Sequence, residues 1–137
     1  MTSNLPNPMT YRIILFDFDG TLADSAQCSI LATQAAFAAQ HLPAPDAAAI
    51  VHSMGIPIET AFRSLGAAAL SDTAYTALLA DFRRYYSDYT ADHVRLFPGI
   101  SALLATLKAQ HKTLAIVSSK RNARLRDNSA RLGIDGY

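Results

Sequence analysis

The sequence predicts an α/β fold in which a helical segment follows the first strand of a parallel sheet. Two short apolar runs, at 13–16 and 114–117, each end in a polar turn, as buried parallel strands do. Between them, residues 25–95 carry helical patterns that no strand pattern interrupts. In such sheets ligands bind where the strands end, so the residues after each run are the first candidates for a site.

The first strand, at 13–16, is apolar and partly β-branched, which favours a strand buried on both faces of the sheet. Asp17 and Asp19 follow it and would emerge at its carboxyl end. Residues two apart in an extended chain point to the same side, although the turn at Gly20 re-aims Asp19. Both carboxylates can therefore face one substrate.

Two carboxylates this close disfavour joint ionisation unless a cation or a phosphate separates their roles. A divalent cation would keep one carboxylate charged as a nucleophile while the other carries a proton to the leaving oxygen. Mg²⁺ fits best, because it is a hard ion bound by one or two carboxylates, waters and the substrate phosphate. Gly20 allows close backbone approach, and Thr21 offers a hydroxyl and an N–H to an anion. The pattern predicts metal-assisted phosphoryl transfer.

The segment from 25 to 95 is predicted to contain four helices, at 26–40, 46–53, 58–65 and 71–89. A Gly/Pro-punctuated connection at 53–59 separates the second helix from the third. Four aromatic residues recur at helical spacing in the last helix and are predicted to pack within the helical segment: Phe82, Tyr85, Tyr86 and Tyr89.

From residue 96 onward the chain is predicted to belong to the sheet-containing core again. The Pro-Gly break at 98–99 precedes an amphipathic helix at 100–110, the second strand at 114–117 and a final helix at 122–132. Gly133 is a suitable residue to end that helix.

Composition excludes several classes of function. The chain has 137 residues, is 50% hydrophobic and carries a net charge of +1, so no strong field favours nucleic acid or a membrane as partner. Cys28 is the single cysteine, which excludes an internal disulfide and suits the cytoplasm. Residues 1–10 are predicted to be a disordered leader, and the oligomeric state is left open.

Residues 17–25, DFDGTLADS, resemble the first motif of the haloacid dehalogenase (HAD) superfamily. The resemblance implies a HAD-like, doubly wound parallel-sheet core, of which this chain holds the N-terminal part. It also implies that Asp17 is the phosphorylated nucleophile and that Asp19 is the acid/base, whose backbone carbonyl also binds Mg²⁺. An acid at position 19 favours a phosphatase over a dehalogenase.

The strand at 114–117 and the residues after it resemble the second motif of that superfamily. The likeness implies that Ser118 binds phosphate and that the backbone N–H of Ser119 helps to hold it. Residues 25–95 resemble the helical C1-type cap of phosphoglycolate-phosphatase-like members. Gly55, Ile56 and Pro57 would form its specificity loop. The partial core would then comprise residues 11–24 and 96–137.

Two elements of the superfamily match no residue of this sequence: the third-motif lysine and the fourth-motif acids. The chain is therefore expected to be truncated after the second motif, with one edge of its first strand left unpaired. Such an edge is an aggregation hazard.

The resemblance implies a Mg²⁺-dependent phosphatase of small phosphorylated metabolites that works through a phosphoaspartate. Phosphoglycolate is the substrate that it suggests, and a pyrophosphatase or sugar phosphomutase is the alternative within the superfamily. An alternative of another class is a catalytically inactive fragment that binds phosphate or a partner chain, because the missing lysine and acids would weaken metal binding and charge stabilisation.

Overall fold

A computed structural model describes residues 11–137; the predicted leader at 1–10 lies outside the described residues. The strands are β1 (Ile13–Phe16), β2 (Ala23–Asp24), β3 (Arg95–Leu96) and β4 (Thr113–Ile116). The helices are α1 (Ala26–Ala39), α2 (Ala47–Ser53), α3 (Ile58–Phe62), α4 (Asp72–His93), α5 (Ile100–Ala109) and α6 (Asn122–Arg131). The predicted elements are all present, with ends that differ by up to about four residues, as helix boundaries commonly do.

The central sheet of the described region is the parallel pair β1 and β4, in which Ile13 lies opposite Thr113 and Phe16 opposite Ile116. One face of this pair packs against the apolar core through Phe16, Leu114 and Ile116. The prediction that β1 is buried on both faces is wrong for these residues. Ile13 and Leu15 are 61% and 64% exposed, because no described element covers the second face.

A second, antiparallel pair joins the two ends of the helical segment. Ala23 of β2 lies opposite Leu96 of β3, and Phe97 N–H donates to Leu22 O at 3.1 Å. The sequence did not predict this pair, since two-residue strands carry no alternation to detect. It holds the chain before α1 next to the chain after α4.

The helical segment has its own apolar core between α1 and α4. Phe37 is fully buried there and meets the Phe62 ring edge to face, with centroids 5.5 Å apart. Phe62 meets Phe82 in the same way at 5.1 Å. Two helices begin at side-chain caps, since Asp46 accepts from Ala48 N–H and Ser71 from Ala74 N–H.

The third predicted helix, at 58–65, is only partly correct. Its α-helical part ends at Phe62, and the chain continues as a π-helical turn over Arg63–Ala67. Gly66 within this turn has φ +123°, a conformation that interrupts the regular helix and that glycine adopts at little cost. The sequence pattern could not reveal this, because the apolar spacing continues through the turn.

A second core holds the motif region in place. Phe18 is fully buried in it, together with Leu22, Cys28, Val94 and Leu104. Among residues 11–137, no helix is both long enough and apolar enough to cross a membrane.

Candidate active site

The turn after β1 is set by the burial of Phe18. Its side chain fills the core while the flanking Asp17 is exposed and Asp19 is half-buried. Phe18 O accepts hydrogen bonds from the N–H groups of Thr21, Leu22 and Ala23 at 3.0–3.2 Å. Gly20 has φ +81°, which this tight turn requires. Burial of one side chain thus presents the two acids on either side of it.

Asp17 lies at the carboxyl end of β1, as predicted. Its Oδ1 accepts the N–H of Phe18 at 2.8 Å, which fixes the orientation of the carboxylate. Because Asp17 is exposed, an incoming phosphate can reach the other carboxylate oxygen.

Asp19 takes part in a network that the sequence did not reveal. Its Oδ1 accepts from Ser25 Oγ at 2.7 Å and from Lys120 Nζ at 3.0 Å. The ion pair is largely shielded, with the Lys120 side chain 13% exposed and that of Asp19 22% exposed. Charge-assisted hydrogen bonds of this kind are short and orienting, so Asp19 is held in one position.

Lys120 also connects Asp19 to helix α4. Its Nζ donates to the hydroxyl of Tyr86 at 3.0 Å. Burial raises the pKa of Tyr86 well above its usual value, and the nearby charge of Asp19 adds to this, so the phenol stays protonated at neutral pH. Tyr86 packs as predicted, with its ring centroid 5.6 Å from that of Phe82, and the helical spacing did not reveal the hydrogen bond of its hydroxyl.

Of the three predicted phosphate-binding residues, Ser119 lines the cavity next to this network, whereas Ser118 and Thr21 do not. Ser118 follows β4 directly, and its Oγ accepts the N–H of Lys120 at 3.1 Å. Ser119 lines the same cavity as Asp19. Thr21 is exposed, but its N–H already donates to Phe18 O at 3.2 Å, so its hydroxyl is the group left for an anion.

A cavity of about 160 Å³ lies between the strand ends and the helical segment. Asp19, Ser119 and Lys120 line it together with the predicted specificity loop: Gly55, Ile56 and Pro57. The structure therefore brings that loop to the same cavity as the predicted acid/base.

The donor set partly fits a Mg²⁺ ion. The carboxylate of Asp17 and the backbone carbonyl of Asp19 are hard oxygen ligands of the kind that Mg²⁺ prefers, and this ion usually keeps several waters. Within residues 11–137, however, no group of three or more His, Cys, Asp or Glu side chains comes together. These residues fit an ion completed by water and substrate oxygens rather than an all-protein cage.

Cys28 is not a second nucleophile. It is fully buried, and burial raises the pKa of its thiol to about 11. A thiol with so high a pKa stays protonated at neutral pH and is unreactive.

Comparison with known proteins identifies the family. A sequence profile described as "Haloacid dehalogenase-like hydrolase" matches residues 14–137. The chain belongs to this family. The HAD-like resemblance and the predicted fold class are thereby confirmed, and a solved structure agrees. The haloacid dehalogenase-like hydrolase SP0104 from Streptococcus pneumoniae superposes with a TM-score of 0.78 and 32% identity, over 92% of this chain and 58% of that one.

The curated proteins that are similar to this chain are named for different activities. "Probable phosphatase IndB" of Dickeya dadantii is 32% identical over 110 residues, which cover 79% of this chain and 48% of that protein. The phosphoglycolate phosphatase of Haemophilus influenzae is 31% identical, over 91% of this chain and 59% of the relative. "Tyrosine-protein kinase PtkA" of Mycobacterium tuberculosis is 32% identical, over 92% of this chain and 42% of that protein. The chain therefore spans about half the length of the curated relatives it matches.

Proposed function

We propose that this chain carries the nucleophile, the acid/base and the phosphate-binding loop of a Mg²⁺-dependent phosphatase of small phosphorylated metabolites. The observation that carries the proposal is the pair of acids at the end of β1. Asp17 is exposed to solvent, and Asp19 is held by Ser25 and Lys120 at the wall of a cavity. An accessible carboxylate beside a fixed one suits nucleophilic attack with proton transfer.

The proposed reaction has two steps. A carboxylate oxygen of Asp17 attacks phosphorus, the bond to the leaving oxygen breaks, and Asp19, in its protonated form, gives its proton to that oxygen. In the second step Asp19 takes a proton from a water molecule and the water oxygen bonds to phosphorus. The bond from phosphorus to Asp17 breaks, which releases inorganic phosphate and the free Asp17 carboxylate. Phe18 N–H keeps Asp17 oriented throughout. Mg²⁺, held by Asp17 and the carbonyl of Asp19, would offset the negative charge of the phosphoryl group.

We further propose that residues 25–95 act as a cap over this site. The loop at Gly55, Ile56 and Pro57 lines the same cavity as Ser119, which suits a role in choosing the substrate. Phosphoglycolate is the substrate that the name of one relative suggests. A single buried thiol is compatible with the cytoplasm.

Phosphate release from a generic phosphomonoester tests the proposal. We expect the purified chain to release phosphate from p-nitrophenyl phosphate with Mg²⁺ and to lose that activity on chelation, because the charge of the phosphoryl group is then not offset. Adding Mg²⁺ back should restore the activity. Release that is insensitive to chelation would contradict the proposed role of the metal.

Replacing Lys120 by Met is expected to lower turnover while the chain stays folded. The substitution removes a charge-assisted hydrogen bond to Asp19. Such a bond contributes about 1.5–3 kcal/mol, which corresponds to a loss of roughly 10- to 160-fold if it is used in the transition state. Lys112→Met serves as the matched control, since Lys112 does not line the cavity. Equal rates in the two variants would show that Lys120 does not position Asp19.

A second candidate is a chain that binds phosphate without turning it over. One observation favours it: the ammonium of Lys120 lies 3.0 Å from Asp19 Oδ1, so the residue proposed as the acid/base is engaged in an ion pair. In that case calorimetry would detect binding of inorganic phosphate, but no monoester would be hydrolysed at any Mg²⁺ concentration.

A further inference from the structure

Glu59, the only glutamate in the sequence, bridges two arginines that line the cavity. Its Oε1 accepts from Arg83 Nη2 of helix α4 at 2.8 Å and lies 3.5 Å from Arg121 Nη2, just before α6. Arg83 belongs to the helical segment, whereas Arg121 follows β4. One carboxylate oxygen therefore holds a guanidinium from each part of the molecule.

These three residues line the same cavity as Asp19 and Lys120. Arg124 also lines it, and its Nη2 donates to the backbone oxygen of Arg83 at 3.1 Å. The charged lining residues are four basic and two acidic, so the cavity has an excess of positive charge. Glu59 is thus the only acid of the lining besides Asp19.

Glu59 can be displaced from this position. Its side chain is 46% exposed and that of Arg121 is 67% exposed, so water competes with the bridge and weakens it. The pKa of Glu59 is lowered, first by the hydrogen bond from its own backbone N–H and then by Arg83 and Arg121, so at neutral pH it is a carboxylate. A carboxylate or phosphate of a ligand offers the arginines the same chemistry.

We infer that Arg83 and Arg121 bind a second anionic group of the substrate, separate from the phosphate that reacts, and that Glu59 occupies them when this group is absent. This inference rests on the proposed function for the reacting phosphate. Glu59 would then be a specificity-determining residue, because only a substrate with an anionic tail gains the two guanidinium contacts that Glu59 otherwise holds.

Binding of non-hydrolysable phosphonates to the full chain tests this without relying on turnover. Two matched pairs differ by a carboxylate: phosphonoacetate with ethylphosphonate, and carboxyethylphosphonate with propylphosphonate. Calorimetry in the presence of Mg²⁺ gives Kd for each. Glu59→Gln should tighten binding of at least one of the acids about tenfold and leave both alkylphosphonates unchanged, because the arginines no longer have an internal partner. Asp72→Asn, which alters an ion pair outside the cavity, should change nothing.

A second variant checks the identity of the site. Adding Arg121→Gln to Glu59→Gln should remove the gain for the acids and leave the alkylphosphonates unchanged. The inference is overturned if Glu59→Gln leaves the Kd ratio of both pairs unchanged or weakens binding of the acids, while the proposed phosphate site stands because the alkylphosphonates bind. Failure of all four phosphonates to bind would overturn the proposed function and the inference together.

Discussion

Replacing Asp17 by Asn is expected to reduce phosphate release at least about a thousandfold, as loss of a nucleophile does in other enzymes that form covalent intermediates. Asn preserves the size of the side chain and can still accept the N–H of Phe18 through its amide oxygen. Its neutral amide, however, is a poor nucleophile and a weaker ligand for Mg²⁺. Because Asp17 is exposed, the melting temperature of the variant should match that of the parent chain.

The matched control for this variant is Asp24→Asn. Asp24 is also exposed and lies in β2, close in sequence but on a different strand. The Asp24→Asn variant should retain full activity, which separates a specific effect at Asp17 from the loss of one negative charge. Comparable rates in Asp17→Asn and Asp24→Asn would contradict the assignment of the nucleophile.

Replacing Phe37 by Ala is expected to destabilise the chain by about 3–5 kcal/mol, the usual cost of removing a buried phenylalanine ring. Phe37 is fully buried and packs edge to face on Phe62. The Phe37 ring also lies next to the turn at Gly66. A Cβ placed on Gly66 would be 3.8 Å from Phe37 Cε1. The cavity left by the Phe37 ring cannot close easily, because the Phe62 ring and the turn at Gly66 are both held in place around it.

Urea unfolding measures this loss as a lower midpoint with an unchanged slope. Tyr11→Ala is the control, since Tyr11 is an aromatic residue that is 62% exposed, and it should change the free energy of unfolding by less than about 0.5 kcal/mol. If Phe37→Ala costs no more than Tyr11→Ala, the helical segment does not have the core described above.

The motif after β1 could be predicted from the sequence because its functional residues are contiguous. A strand, two acids and a glycine turn lie within residues 13–21, and burial of Phe18 is the usual fate of an apolar residue between polar ones. The longer helices were also predictable, since their apolar spacing extends over enough residues to be detected, whereas the break after the five-residue α3 was not.

The network around Asp19 was not predictable in the same way. Lys120 is 101 positions away in the sequence, and nothing local distinguishes a lysine that turns inward from one that remains in solvent. Tyr86 follows the helical spacing of a packing residue whether its hydroxyl lies in the core or at a cavity. The spacing therefore does not reveal its hydrogen bond to Lys120. The bridge from Glu59 to Arg83 and Arg121 joins three elements, so only their packing reveals it.

Chemical trapping of the intermediate tests the central claim, that Asp17 becomes phosphorylated, most directly. Borohydride added during turnover of p-nitrophenyl phosphate with Mg²⁺ reduces an aspartyl phosphate to homoserine, which peptide mass spectrometry can locate. We expect homoserine at position 17, dependent on substrate and absent from Asp17→Asn. Phosphate release accompanied by homoserine at another position, or by none, would contradict the account.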